Sequence, residues 1–199
     1  MKRILLLLFL ISLPAHALRY TNKYHSFKET MLDQGIVFSG HTLGYLLTQK
    51  GTIEKEGSWA NYKDNFGHFT VDNDNTTWNL LGHTYTGSQV YLYYRARGYV
   101  EQKALFYSFL SSFYFETLIE TYTERPSFQD TFNTPFFGST LGYVFERVSV
   151  NFINSDNSFK YYLGRLINPF SYLVDGEASI FVMPTSDATG GVILWSSTL

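Results

Sequence analysis

From Trp78 to Arg97 the polar and small residues Asn79, His83, Gly87, Tyr94 and Arg97 recur at steps of three and four, with Val90 between them, and so form one stripe on a helix. Gly98 supplies an end for it. Ala104 to Tyr122 predicts a second helix, on which Ser108, Ser112, Glu116 and Glu120 form a stripe at i, i+4 spacing. A third helix is expected from Thr134-Pro135 to about Asn151, carrying Gly138 and Gly142 four apart. A fourth spans Asn157 to Ile167 and closes at Asn168-Pro169. Upstream, Gly35–Thr48 reads as a helix and 18–34 as an irregular arm. Gln49–Asp74 reads as a long loop with a short strand near Phe69–Val71. Ala178–Met183 and Gly191–Trp195 alternate as two strands around a turn.

The first two helices are joined by the short link Gly98–Lys103, which predicts an antiparallel hairpin. Matching positions across it sets His83 opposite Glu120, Asn79 opposite Glu124, Gly87 opposite Glu116, and Tyr94 near Ser108 or Phe109. The two polar stripes then face each other. Glu116, Glu120 and Glu124 stand on successive turns, and carboxylates so placed must be protonated, hydrogen-bonded or matched by cations when buried. Asn79, His83, Glu116, Glu120 and Asp130 are therefore the candidate polar or metal cluster, with His83 and Glu120 the candidate catalytic pair. A His–Glu pair can act as base and orienter, and further carboxylates can hold a divalent metal. Arg95 and Arg97 lie at the far end of the first helix and are candidates for an anion or lipid headgroup. The di-iron Glu-x-x-His pattern, His-Glu-x-x-His and Gly-x-Ser-x-Gly are all absent, as are phosphate-binding and dinucleotide loops. Asp72-x-Asp74-x-Thr76 begins like a calcium loop but lacks the glycine and glutamate such a loop needs, so helix capping is its expected role.

Met1-Lys2-Arg3, the apolar run Ile4–Leu13 and Ala15-His16-Ala17 read as a secretory signal peptide over residues 1–17, leaving 18–199 as one envelope domain. The 199 residues include 18 Phe and 16 Tyr but no Cys, which excludes disulfides, thiolate metal sites and cysteine nucleophiles. The net charge of −2 gives no basic surface for nucleic acid. The expected fold is mainly α, a bundle-like body with a small C-terminal β-hairpin. The alternative is a small outer-membrane β-barrel, suggested by the Tyr, Phe, Gly, Asn and Thr content and the partial alternation of Tyr91–Arg97.

The stretch from about Asp72 to Gly142 resembles a bacterial family, domain of unknown function 3943. The likeness rests on Asp72/Asp74, Asn79, His83, Gly87, Tyr91, Ala96-Arg97-Gly98, Ser112, Phe115-Glu116 and Glu120. It continues through Glu124-Arg125-Pro126-Ser127-Phe128-Gln129-Asp130, then Thr134-Pro135, Gly138 and Gly142. It departs from the family pattern at Thr84, Phe115, Arg125 and Tyr143. The resemblance implies a Gram-negative envelope protein and adds weight to the set His83, Glu116, Glu120 and Asp130; it supplies no activity. Two functions stand as expectations. One is a membrane-associated structural or lipid-interacting protein of the periplasm or outer membrane, its partner a membrane lipid or envelope component. The other is an envelope hydrolase acting on lipid or glycan through His83 with Glu116 and Glu120.

Overall fold

A computed structural model describes residues 17–71, 79–174, 179–184 and 191–196; the signal peptide reading and the Asp72/Asp74 cap fall outside them, apart from Ala17. The chain is mainly helical. α1 (Phe27–Thr48), α2 (Lys50–Glu56) and α3 (Trp59–Asn65) lead to a π-turn, Asn79–His83, that runs into α4 (Thr84–Ala96). α5 (Glu101–Tyr114) continues through a second π-turn, Phe115–Ile119, and a 3-10 turn, Glu120–Tyr122. α6 (Phe128–Ile153), α7 (Ser158–Ile167) and α8 (Ser171–Val174) follow. Two short extended segments, Ser179–Pro184 (β1) and Gly191–Ser196 (β2), are set antiparallel; the turn between them lies outside the described residues.

Several expectations change. The arm 18–34 is helical from Phe27, because Ser26 and Glu29 form a reciprocal capping box that starts α1 early. The expected loop after Thr48 holds α2 and α3, the latter started by Ser58, whose hydroxyl accepts from the Asn61 N–H. The strand near Phe69 reduces to one parallel bridge, Thr70 beside Ser127. α6 starts at Phe128 rather than Thr134, since the Ser127 hydroxyl accepts from the Asp130 N–H and outweighs the later Pro135, which sits buried inside the helix. The barrel alternative does not hold among the described residues. Tyr91–Arg97, whose alternation suggested a strand, is the last part of α4 and its C-cap.

α4 packs most closely along α6. A methyl group on Gly87 would stand 2.1 Å from the Thr134 carbonyl oxygen, and one on Gly138 would stand 2.6 Å from the Gly87 Cα. Backbone therefore touches backbone, which only glycine allows. The hairpin register had set Gly87 against Glu116; its neighbour is α6 instead. Gly98, at φ +95°, ends α4 as expected and turns the chain into α5. Across that hairpin the Tyr94 hydroxyl lies 3.3 Å from Ser111 Oγ.

The interior is unusually polar. Tyr91, Tyr93, Tyr94 and Tyr99 form much of the core, and Ser111, Ser149, Asn168 and Glu116 are buried beside them or nearby. None of the phenylalanines from Phe27 to Phe170 is buried. Phe106, Phe132 and Phe136 stand 58%, 55% and 64% exposed. With Leu105, Phe109 and Phe137 they line an open apolar groove between α5 and α6, of about 490 Å³. Among the described residues no helix is long and apolar enough to cross a membrane.

Candidate functional site

His83, the last residue of the first π-turn, Glu116 in the second, and Asp130 in the first turn of α6 converge from three parts of the chain. One ligand atom from each lies within 4.8 Å of the others. Helices that carry a π-turn gain one residue per turn there, and such turns recur at functional sites. Thr121 braces the second one by donating its hydroxyl to the Glu116 and Thr117 carbonyls at 2.8 and 2.9 Å.

The connector before α6 completes the site. Thr70 N–H donates to the Pro126 carbonyl, and Phe128 N–H donates back to the Thr70 carbonyl, at 2.9 and 3.1 Å. This fixes Ser127, whose backbone N–H donates to Glu116 Oε2 at 3.0 Å. The start of α6 therefore brings its N-cap N–H to the cluster, with Asp130 in the first turn beside it. His83 Nδ1 sits 3.1 Å from the Thr134 hydroxyl one turn further along α6.

Beside the cluster is a cavity of about 240 Å³, lined by Thr70, His83, Glu120, Glu124, Arg125, Ser127 and Asp130. Carboxyls outnumber cations along that lining. Burial, partly offset by the Ser127 N–H and reinforced by Asp130, pushes the Glu116 carboxyl up to about 8. Glu120 is raised well above the usual carboxylate range by burial and then by Glu116 and Glu124. Glu116 Oε1 is enclosed and meets no fixed donor.

The sequence-predicted set thus divides. His83, Glu116 and Asp130 meet, and Glu120 lines the cavity with His83. Asn79 opens the same π-turn, and its side chain lies outside the described residues. Arg95 and Arg97 are elsewhere and turn inward. Arg95 holds Glu146 with two parallel bonds, at 2.8 and 2.9 Å, both groups buried. Arg97 donates to the buried Asp33 at 2.8 Å, and Asp33 also accepts from the Tyr93 and Tyr99 hydroxyls.

One histidine was passed over. His41 on α1 reads in the sequence as an ordinary helix-face residue. Both of its ring nitrogens are enclosed without a partner, and its ring stands edge-on to Phe115 at 5.3 Å. Burial, with a smaller push from His83, lowers its pKa to about 4. Its place between Gly40 and Thr42 on α1 gives no local signal of that position.

Fold and site together define a helical protein whose polar interior opens, at one end, on a His–carboxylate cavity. The family described as Domain of unknown function (DUF3943) matches residues 68–170, more than half the chain and the whole described cluster, and the protein belongs to that family. No curated protein and no solved structure matches it.

Proposed function

We propose that this is an exported protein of the Gram-negative envelope, in the periplasm or outer membrane, that associates with the membrane and has a structural or lipid-interacting role. The observation that carries the reading is the inverted distribution of aromatic residues. In the core the hydroxyls of Tyr45, Tyr93, Tyr94 and Tyr99 are bonded, while no phenylalanine of the helical body, Phe27 to Phe170, is buried. Removing a half-exposed Phe side chain from water is worth roughly 1 kcal/mol. A face bearing Phe106, Phe132, Phe136 and Phe137 has that much reason, several times over, to meet lipid. The apolar N-terminal run supports export, and membrane lipid or another envelope component is the partner this implies. We take the C-terminal segment from Ala178 to Trp195 as a β-hairpin appended to the helical body, on the strength of its two apolar runs.

Fractionation of the envelope on a density gradient, followed by an alkaline carbonate wash, tests this. The protein should stay with the outer membrane, and the triple change Phe106→Ser, Phe132→Ser, Phe136→Ser should release it with its circular dichroism unchanged. Recovery of the natural chain as a soluble periplasmic protein would end the membrane reading.

The cavity favours a second reading, an envelope hydrolase acting on lipid or glycan through His83 with Glu116 and Glu120. Replacing His83 by Gln should then abolish hydrolysis at unchanged protein abundance. A fall in abundance instead would mark the cluster as structural.

A further inference from the structure

We propose that His83, Glu116 and Asp130 are the ligands of a divalent metal ion whose open coordination positions face the cavity beside Glu120. Ligand atoms about 2.1 Å from a zinc ion stand roughly 3.4–4.2 Å apart. The three donors lie within 4.8 Å of one another, so an ion closes the set with sub-ångström shifts. Proximity alone would not argue for an ion, since acidic groups gather for many reasons. The second observation is Glu116 itself, 1% exposed. Its Oε2 is held by the Ser127 N–H, while the enclosed Oε1 has no hydrogen-bond donor. A buried carboxylate oxygen without a donor is costly, and a cation is the partner that satisfies it.

The histidine is arranged in the same sense. A ligating imidazole is oriented by a hydrogen bond at its other nitrogen. Here Nδ1 meets the Thr134 hydroxyl, leaving Nε2 for the ion. One imidazole and two carboxylates are a mixed nitrogen–oxygen set, suited to Zn²⁺, Mn²⁺ or Fe²⁺ rather than to a thiolate-seeking ion. The two carboxylate charges balance the ion, and the cavity of about 240 Å³ has room for bound water. His83 is then a ligand rather than a base, and Glu120 lines the cavity beside it. The inference concerns the same cavity as the hydrolase reading but stands on cation uptake alone, so measuring uptake without substrate keeps the two separate.

The full-length protein, purified in detergent and stripped with a chelator, is titrated with Zn²⁺ by calorimetry. One Zn²⁺ per chain is expected. His83→Gln, Glu116→Gln and Asp130→Asn should each weaken binding by at least roughly tenfold, and Thr134→Val by about tenfold. Glu101→Gln, at an exposed pair with Arg147, should change nothing. Failure of the natural chain to take up Zn²⁺ above background would overturn the proposal, as would uptake indifferent to all three ligand changes. A check that needs no variant is X-ray absorption at the zinc edge. It should show one imidazole among oxygen ligands, and oxygen ligands alone would also overturn the proposal.

Discussion

At the Arg95–Arg97 end of α4 each buried charge meets an opposite charge in good geometry, and the neighbouring tyrosine hydroxyls complete the set. His25 joins there as well, stacked on Tyr99 at 3.8 Å and bonded to the Arg97 carbonyl. About 18 Å away along the same helix, the His83 end gathers Glu116, Glu120, Glu124 and Asp130 round one imidazole and the exposed Arg125. Both ends are polar, and both are largely enclosed. The first is balanced within the chain, as a network that fixes helix positions must be. The second leaves the Glu116 and Glu120 carboxyls to hold protons or take a cation, and an imbalance maintained beside a cavity is the mark of a site. The contrast teaches that burial of charge does not by itself separate scaffold from function; completeness of pairing does.

The largest effect should come from breaking the balanced end. Arg95→Met leaves Glu146 buried with no countercharge and should cost about 3–5 kcal/mol in denaturant unfolding. Adding Glu146→Leu should recover much of it, because the loss comes from the orphaned charge rather than from the pair's own worth. A smaller effect belongs near the other end. His41→Leu removes two enclosed nitrogens without partners and should raise stability at pH 7 by about 1 kcal/mol. Its pH dependence has a definite sign. The folded-state pKa of about 4 lies below the ordinary value of 6.5, so the unfolded chain binds the proton first. His41 therefore costs the natural protein stability as pH falls from 6.5 towards 4, and the variant should lose less over that window in thermal melts at stepped pH.

Much of the site was legible because it depends on helical period. The i, i+4 stripes of α4 and α5 brought His83 towards Glu116 and Glu120, and Gly98 marked the turn between them. Two local signals were present but unread. Ser26-x-x-Glu29 is a capping box, and Ser127 with Asp130 starts α6 ahead of Pro135. Other features leave no local trace. Arg95 meets Glu146, and Arg97 meets Asp33, from 51 and 64 residues away. Periodicity reports which face a residue occupies and not which distant helix covers it. The same holds for Gly87. Its small size was visible, but whether α5 or α6 approached it was decided by the matching Gly138. The π-turns are likewise silent, since a widened turn uses the same residue types as an ordinary one.

The contrast between the two ends is tested most directly by one side-by-side measurement, the thermal stability of Glu116→Gln and Glu146→Gln at pH 7 without added metal. Glu146→Gln should be destabilised by about 3–5 kcal/mol, because buried Arg95 loses its countercharge. Glu116→Gln keeps the acceptor for the Ser127 N–H and removes a crowded acid, so it should stay within about 1 kcal/mol of the natural protein. Equal and large losses in both would mean that the His83 cluster is scaffold, and would contradict its assignment as the site.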